Sequence, residues 1–451
     1  MYSKEYRDKL TTPEAVAARV QSGDYIKLGY FNGKPVTLME ALANRHEELT
    51  DVNLVGTAIV PPVPEVFKYP DSFNFIDWHW SKLTRMIREH VDNLTYAPVC
   101  YHTCPEFVRN GTVCGGNQIK HVWQRVAPMD EHGYFNFGTN NSESMASFEV
   151  GGNRCVEVNK STPICLGGNQ ESIHISMIDF IVEAPDDQKV FAAPEIPPPT
   201  EVEMKIADHL LDYIHDGSCL QLGIGGLPNA IGILLKNSDI KNLGVHSEMF
   251  VDAYIDMIDS GQINNSQKQI DRHKSTYTFA LGTQRLYDWM NYNKGLASYN
   301  VDYINNPTVI SRLDNMISIN QAISVDLLTQ ISAESSGYKQ ITGNGGMTDF
   351  IIGAQWSRDG KSIICLPATH TDKDGNLVSR IVPSFPIGTS VTVSRHLVDY
   401  IATEYGVKKM KAQSQWARTE AIIELAHPQF RDELIKAAQD AKIWRRSNKI
   451  Q

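Results

Sequence analysis

The sequence predicts an α/β protein made of two tandem domains of similar topology, each with a mostly parallel sheet. Three observations support this prediction. The chain has 451 residues, more than one hydrophobic core normally serves. A proline-rich segment, "APEIPPPTE", divides it near its middle. The two halves also resemble each other, which indicates an internal duplication.

The segment from Ala193 to Glu201 is predicted to be a linker, because three consecutive prolines cannot join a helix or a central strand and hold the chain extended. The predicted organisation is therefore an N-terminal domain over residues 1–192, a linker over 193–201 and a C-terminal domain over 202–451.

The repeat is clearest in two stretches, "SGDYIKLGYFNGKPVTLMEAL" from Ser22 and "DGSCLQLGIGGLPNAIGILL" from Asp216. Each predicts a short apolar strand, a glycine turn and an amphipathic helix. The matched positions are Gly23 with Gly217, Gly29 with Gly223 and, after a one-residue slip, Pro35 with Pro228.

A second pair of stretches predicts the next parallel strand in each half. These are "DVNLVGTAIV" around Asn53 and "IKNLGVHSEMF" around Asn242. In this alignment the first half has Ile59 where the second half has Glu248. Ligands of open α/β sheets gather beyond the carboxyl ends of the strands, so Glu248 is a candidate site residue. The alternative is a surface glutamate at the start of a helix, where acidic residues are favoured.

The composition excludes several functional classes. Hydrophobic residues make up 42% and charged residues 21% of the chain, which is typical of globular proteins. A net charge of −10 without a basic run argues against a nucleic-acid partner. No apolar run is long enough to span a membrane, and "MYSKEYRDKL" lacks the apolar core of a signal peptide. Seven cysteines, an odd number, suggest reduced thiols and a cytoplasmic location.

Cys100, His102 and Cys104 in "CYHTC", with Cys114 nearby, form the only cluster that raises the question of a metal. A zinc site needs four ligands and usually a CxxC pair. Here the first pair is spaced too loosely and no second pair follows, so we predict no metal and interpret these residues as lying around a strand-to-loop boundary.

Two glycine clusters follow the linker. "GIGGLP", from Gly223 to Pro228, could bring backbone N–H groups close to an anion, although a tight strand-to-helix turn explains it equally well. "TGNGGMTDF", from Thr342 to Phe350, could present backbone amides to a developing oxyanion. Between them, Asn320 interrupts a strand-like alternation and could donate an amide N–H group to a carbonyl oxygen.

Seven stretches in order carry a resemblance to a known family. They are "GIGGLPNA", "HSEMF", "GTQRLYDWM", "NPTVISRLDNMISIN", "GNGGMTDF", "IVPSFPIGTSVTVSRHLVDYIATEYGV" and "AHPQFRDEL". Together they resemble the acetyl-CoA hydrolase/transferase family of class I CoA-transferases, with greatest likeness to butyryl-CoA:acetate and 4-hydroxybutyrate CoA-transferases. The resemblance covers nearly the whole chain.

The resemblance implies that Glu248 is the nucleophile of a CoA-transferase, which moves CoA between a short-chain acyl-CoA and a carboxylate such as acetate. The implied intermediates are an acyl-glutamyl anhydride and a glutamyl-CoA thioester. It further implies oxyanion donors at Asn320, Gly345 and Gly346, CoA as a substrate, no tightly bound cofactor and a homo-oligomer. The implied CoA contacts are Gly223, Ile224, Gly225, Gly226, Gly343, Gly345 and Gly346.

The acyl-side residues are less well indicated. The segment from Pro128 to Gly138 and His102 are candidates, and Arg395 could serve the structure or contact a phosphate. Asp349 and Phe350 are expected to fix the shape of the second glycine loop. The chain departs from the family after "TEYGV", where it has "KKMKAQSQWART" instead of a glycine-containing turn, and Met347–Thr348 differ from the pair common in butyryl-type relatives.

Two alternatives to the transferase remain open at this point. A short-chain acyl-CoA hydrolase would form the same anhydride but let water finish the reaction. A non-catalytic acyl-CoA-binding sensor would keep the duplicated fold, although such a protein would be free to lose Glu248 and Asn320.

Overall fold

The computed structural model describes residues 2–195 and 197–445. In these residues the α-helices are α1 Tyr2–Lys9, α2 Pro13–Ala17, α3 Val36–Ala43, α4 Lys82–Arg88, α5 Cys104–Arg109, α6 Ser144–Val150, α7 Glu201–Leu211, α8 Gly226–Lys236, α9 Asp252–Asp259, α10 Gln284–Met290, α11 Val301–Ile304, α12 Pro307–Ile310, α13 Met347–Trp356, α14 Gln415–Glu424 and α15 Pro428–Asp440. Short 3₁₀ helices span Phe31–Gly33, Glu65–Lys68, Tyr101–Thr103, Thr112–Cys114 and Ile175–Met177.

The strands of the same residues are β1 Tyr25–Leu28, β2 Val52–Gly56, β3 Phe73–Asp77, β4 Leu94–Tyr96, β5 Ile119–Val126, β6 Tyr134–Asn136, β7 Arg154–Val158, β8 Gly167–Asn169, β9 Ser172–His174, β10 Phe180–Glu183, β11 Cys219–Leu222, β12 Gly244–Val245, β13 Met249–Phe250, β14 Ser275–Tyr277, β15 Phe279–Ala280, β16 Leu296–Tyr299, β17 Met316–Gln321, β18 Ser324–Asp326, β19 Ile331–Ser332, β20 Ser335–Ser336, β21 Lys339–Gln340, β22 Lys361–Cys365, β23 Thr369–Thr371, β24 Leu377–Ser379, β25 Ile381–Val382, β26 Tyr400–Thr403 and β27 Gly406–Lys409.

The chain forms two compact units. The first comprises Met1–Pro194, Glu248–Phe250 and Thr276–Ile304, and the second comprises Glu195–Ser247, Val251–Ser275 and Asn305–Gln451. The chain passes from one unit to the other within the predicted linker, of which Ile196 lies outside the described residues. Two segments that the sequence placed with the C-terminal half, Glu248 among them, therefore pack with the first unit.

The first unit is built on a parallel sheet with the strand order β10-β7-β5-β1-β2-β3-β4. Neighbouring residues along its strands belong to two different apolar clusters, for example Val122 and Trp123 on β5, and Val156 and Cys155 on β7. Because successive side chains of a strand point to opposite faces, both faces of this sheet are buried, as is usual for parallel sheets.

The second unit is built on a sheet with the order β12-β11-β17-β22-β26-β27, in which only the last pair is antiparallel. Helix α13 packs against β17 and β22, and α7 packs against α8. The described residues contain no helix that is both long and apolar enough to cross a bilayer.

The two sheets confirm the predicted duplication. In the first unit the consecutive strands β2-β1-β5-β7-β10 are neighbours, and in the second unit β12-β11-β17-β22-β26 follow the same path. Pairing of Tyr25 with Asn53 corresponds to pairing of Cys219 with Gly244. This register makes Thr57, and not Ile59, the counterpart of Glu248. The alignment of Ile59 with Glu248 was wrong by two residues. It was made by matching similar residue types, whereas the register is determined by the pairing of the strands.

Candidate functional site

Glu248 follows the very short strand β12 and two buried residues, His246 and Ser247. The His246 N–H group donates to the Leu220 carbonyl oxygen at 3.2 Å, and Ser247 Oγ donates to the Leu222 carbonyl oxygen at 3.3 Å. The residues that lead to Glu248 are therefore fixed against strand β11 of the second unit. The half-buried carboxylate stands beyond the carboxyl end of the strand, where the sequence placed it.

Within the first unit, the backbone of Glu248 is held by a short parallel ladder. Its carbonyl oxygen accepts hydrogen bonds from the N–H groups of Thr278 at 3.0 Å and Phe279 at 3.2 Å. Met249 then pairs with Phe279. The backbone at Glu248 is therefore held in place by hydrogen bonds to strand β15 and the residue before it.

Aromatic side chains surround this ladder. Phe31 stacks on Phe279 with ring centroids 4.5 Å apart, and Tyr101 meets Phe279 edge to face at 6.3 Å. The Tyr101 hydroxyl donates to Ser142 Oγ at 2.7 Å. Burial raises the pKa of Tyr101 well above its usual value, and the carboxylates of Glu143 and Glu248 add to the shift. Tyr101 is therefore a neutral phenol, and the Glu248 carboxylate acts on it electrostatically.

The same unit buries two lysines, and both ammonium groups have partners. Lys27 Nζ lies 2.7 Å from Glu143 Oε1, with both side chains almost fully buried, and 4.0 Å from the centroid of the Tyr30 ring. Lys34 Nζ donates to the carbonyl oxygens of Val60 and, at 2.5 Å, Pro62. Burial lowers the pKa of Lys34 to about 7. Both side-chain nitrogens therefore already have partners inside the fold.

Lys34 is one of three side chains that fix the loop after β2, residues 57–62. Ser81 Oγ donates to the Ile59 carbonyl oxygen at 2.6 Å. Asp77 Oδ1 accepts the N–H groups of Ala58 and His79, both at 3.0 Å, and Asp77 Oδ2 accepts from Thr84 Oγ1 at 3.1 Å. Neither Lys34 nor Asp77 was singled out in the sequence, where nothing marks them as buried.

The buried carboxyl of Asp77 makes stability depend on pH. Burial raises its pKa to about 7, whereas the unfolded chain loses this proton near pH 4. Between about pH 4 and pH 7 this carboxyl binds more protons in the folded state than in the unfolded state, so its own contribution to stability falls as the pH rises, by up to about 1.4 kcal/mol per pH unit. In Asp77→Asn, which keeps the shared acceptor oxygen, this decline should vanish. Urea unfolding of both proteins from pH 5 to pH 8 measures it, and equal slopes would contradict the assignment.

The first glycine loop follows strand β11 in the second unit. Gly225 has φ +127°, which only glycine adopts readily, and helix α8 begins at Gly226. A Cβ atom added to Gly223 or Gly225 would meet nothing within 4 Å, so the backbone at these two positions borders open space. Ile224 between them is 41% exposed. The loop therefore offers an accessible backbone surface at the start of a helix, as a ligand-binding loop requires.

Asn320 lies on β17 at the level of this loop, since Leu222 pairs with Ile319. Its Nδ2 atom donates to Ser318 Oγ at 2.8 Å and lies 3.2 Å from Gln221 Oε1. The structure thus brings Asn320 and the first glycine loop to the same edge of one sheet. Gln221 and Ser318 were missed in the sequence, although single polar residues within otherwise apolar strands were an available signal.

The second glycine loop leads into helix α13, which packs on β17. Gly345 has φ +53°, and Gly346 is the N-cap residue of the helix. Asn344 Nδ2 donates to the Gly345 carbonyl oxygen at 3.1 Å and to Thr348 Oγ1 at 2.8 Å. These hydrogen bonds fix the turn, and the first N–H groups of a helix have no partner inside the helix. Gly343 is buried in the same turn.

Phe350 and Asp349, in the first turn of α13, are both buried. The Phe350 ring lies 6.2 Å from the ring of His246. This contact joins α13 to the residues that precede Glu248.

The acyl-side candidate segment from Pro128 to Gly138 has residues in two different surroundings. Phe135 and Phe137 of the segment Pro128 to Gly138 are buried in the apolar core. Five other residues of the segment line an open cavity of about 900 Å³, with charged groups that include Lys160, Glu171 and Asp288; they are Pro128, Met129, Asp130, Tyr134 and Asn136. A cavity of this mixed charge is a poor match for a short apolar acyl group.

The cysteine and histidine cluster lies where a 3₁₀ helix, Tyr101–Thr103, meets α5. It therefore marks a helix start and not the strand-to-loop boundary that the sequence suggested. Cys100 is exposed and Cys104 is buried, and the side chain of Cys114 lies outside the described part. No group of three or more potential metal ligands occurs among the described residues.

Arg395 is exposed, and its carbonyl oxygen accepts a hydrogen bond from Arg418 Nη2 at 2.8 Å. The turn that departs from the family pattern lies nearby, and its Ala412 has φ +62°. This left-handed conformation is the one that glycine adopts without strain. The position therefore still requires the backbone of a glycine turn.

Replacing Ala412 with glycine is expected to stabilise the protein by about 1 kcal/mol, because it removes the strain of a left-handed alanine. Thermal or urea unfolding measures the gain. Ala437→Gly, within helix α15, is the control and should lose about 1 kcal/mol. If Ala412→Gly also lowered stability, the left-handed turn would be wrong.

Comparison with known proteins gives a consistent result. Two protein-family models match the chain. The family model "Acetyl-CoA hydrolase/transferase N-terminal domain" matches residues 1–193, and the family model "Acetyl-CoA hydrolase/transferase C-terminal domain" matches residues 282–438. The chain is 45% identical to the butyryl-CoA:acetate CoA-transferase of Anaerostipes caccae, over 99% of this chain and 100% of that protein.

Two further relatives extend this comparison. The 4-hydroxybutyrate coenzyme A transferase of Clostridium kluyveri is 36% identical, over 95% of this chain and 97% of its own length. The crystal structure of RipA from Yersinia pestis superimposes with a TM-score of 0.86 at 31% identity, covering 98% of this chain and 99% of that one.

Proposed function

The chain belongs to the acetyl-CoA hydrolase/transferase family and is an acyl-CoA:carboxylate CoA-transferase, and we propose that it moves CoA between butyryl-CoA and acetate, with Glu248 as the nucleophile. The observation that carries the proposal is the placement of Glu248. It follows the end of strand β12 on a backbone that Thr278 and Phe279 hold by hydrogen bonds, and its carboxylate contributes to the raised pKa of Tyr101.

The proposed reaction proceeds in two steps on the donor side. A Glu248 carboxylate oxygen attacks the thioester carbonyl carbon, the C–S bond breaks, and CoA leaves as a thiolate. The thiolate then attacks the glutamyl carbonyl carbon of the resulting anhydride, the bond to the butyrate oxygen breaks, and a glutamyl-CoA thioester remains. No proton is transferred in either step, so the reaction requires no general base at this side chain. Acetate reverses both steps and leaves as acetyl-CoA.

Each attack creates an oxyanion, which needs hydrogen-bond donors already in place. Asn320 and the N–H groups of Gly345 and Gly346 are proposed as these donors. The loop Gly223–Gly226 is proposed to lie along CoA, because its backbone is accessible at Gly223 and Gly225.

The unit that holds Glu248 favours an apolar acyl group over a dicarboxylic one. A succinyl group would bring a second carboxylate, and a buried carboxylate needs a cation or several donors. Lys27 is already paired with Glu143, and Lys34 with two carbonyl oxygens. Phe31, Tyr101 and Phe279 offer apolar surface instead. This supports butyryl-CoA, and related unbranched acyl groups such as 4-hydroxybutyryl, as donors.

The assay that tests this proposal follows acetyl-CoA formation from butyryl-CoA with and without acetate. A transferase turns over butyryl-CoA continuously only when acetate is present, and without acetate it consumes at most one butyryl-CoA per site. Steady turnover without an acceptor would identify a hydrolase, and binding of butyryl-CoA without any turnover would identify a sensor. With succinyl-CoA as donor, kcat/KM should be at least about 10-fold lower; an equal or higher value would overturn the assignment of an apolar acyl group.

A further inference from the structure

Three polar side chains form a hydrogen-bonded triad on adjacent strands of the second unit. Gln221 lies on β11, and Ser318 and Asn320 lie on β17. Gln221 pairs with Ser318 across the parallel ladder. Because alternate residues of a strand share a face, Asn320 lies on the same face as Ser318.

From this geometry we infer that Gln221 and Ser318 are positioning residues that hold the Asn320 amide in the orientation in which it donates to the oxyanion. This inference rests on the proposed function of Asn320. It adds two residues to the reaction that neither touch the substrate nor belong to a glycine loop.

The direction of each hydrogen bond supports the inference. Ser318 is fully buried, and its hydroxyl donates to Gln221 Oε1 at 2.8 Å. Its oxygen can then only accept from Asn320, whose Nδ2 atom lies 2.8 Å away. Gln221 Nε2 lies 3.4 Å from Asn320 Oδ1. With the Gln221 amide in this orientation, the triad places the Asn320 nitrogen towards Ser318.

One Nδ2 hydrogen of Asn320 is thus committed to Ser318. The other has only the longer contact, 3.2 Å to Gln221 Oε1, and this is the hydrogen that an oxyanion would take over. Gln221 and Ser318 are 5% and 0% exposed, whereas Asn320 is half-buried. The triad therefore has a rigid buried base and one accessible member, as preorganised donors require.

The first unit provides an internal comparison. By strand register, Lys27 and Gln124 occupy the positions of Gln221 and Asn320. There Gln124 is buried, and its amide donates to the Asn140 carbonyl oxygen at 3.3 Å and to Ser144 Oγ at 2.8 Å. The amide of the first copy is used inside the fold, and only the second copy leaves its amide accessible.

The test is a double-mutant cycle between Gln221 and Asn320. Gln221→Leu should lower kcat for butyryl-CoA and acetate about 10-fold while KM changes less than about 3-fold, because the donor is misaligned and not removed. In the Asn320→Ala background the same substitution should have no further effect on kcat. A residue that only stabilises the fold would lower activity in both backgrounds.

Two further variants complete the test. Ser318→Ala removes only one oxygen atom and should reproduce the loss in kcat, so the inference stays testable even if Gln221→Leu folds poorly. Gln330→Leu, which removes a hydrogen bond to Asp326 elsewhere in the unit, is the control and should keep the wild-type kcat.

The outcomes separate this inference from the proposed function. If Asn320→Ala keeps the wild-type kcat, the oxyanion role of Asn320 fails, and the inference fails with it. If Asn320→Ala is slow but Gln221→Leu and Ser318→Ala are both as fast as wild type, the positioning role alone is overturned. Equal losses from Gln221→Leu in both backgrounds would also overturn it.

Discussion

Replacing Glu248 with glutamine is expected to lower kcat for CoA transfer by at least about 1,000-fold, since an amide does not attack a thioester at a useful rate. The backbone hydrogen bonds from Thr278 and Phe279 to the Glu248 carbonyl oxygen are unaffected by this change. The variant should therefore fold and still bind butyryl-CoA.

A covalent readout makes the test specific. Incubation of the wild type with butyryl-CoA and no acceptor, followed by acidic digestion, should yield a CoA adduct on the peptide that contains Glu248. The adduct should be absent in Glu248→Gln and in Glu248→Ala, which cannot revert by deamidation. Glu433→Gln, on the exposed side of helix α15, is the control and should form the adduct normally. An adduct on a different peptide would reject Glu248 as the nucleophile.

The paired topology of the two sheets could be predicted because the sequence repeats its glycines. Gly23 and Gly217 both adopt a left-handed conformation, with φ +81° and +80°, just before strands β1 and β11. A conformation that strongly favours glycine can be recognised from a glycine in the sequence. The register of the following strand cannot be recognised in this way, because the two strands differ in length: β12 has two residues and β2 has five. The alignment consequently placed Ile59, and not Thr57, opposite Glu248.

The sequence did not indicate which segments of the chain belong to each unit. Residues 276–304 follow the linker, yet β16 pairs with β8 of the first unit. Hydrophobic patterns indicate that a strand exists, but they do not indicate which partner it takes, because pairing depends on contacts distant in sequence.

The roles of the buried polar residues also could not be predicted from the sequence. Asp77, Lys34 and Gln221 are ordinary letters in the sequence, and their roles follow only from the groups that surround them. By contrast, Asn320 could be recognised from the family resemblance, although the resemblance did not indicate what holds it.

Replacing Asn320 with alanine is expected to lower kcat by about 100- to 1,000-fold, the usual cost of removing one oxyanion donor. Each of the attacks on a carbonyl carbon passes through an oxyanion, so the loss should appear both in formation of the glutamyl-CoA adduct and in its reaction with acetate. KM for butyryl-CoA should change little, since the donor acts mainly on charge that develops in the transition state.

Asn320→Asp distinguishes loss of a donor from loss of packing. The aspartate has nearly the same shape, but it offers no N–H group and brings a negative charge towards the oxyanion, so it should be at least as slow as Asn320→Ala. Asn264→Ala, at an exposed asparagine bonded to Asn242, is the matched control and should keep the wild-type kcat. If Asn320→Asp instead regained the wild-type rate, Asn320 would act by filling space, and the backbone amides of Gly345 and Gly346 would be left as the proposed donors.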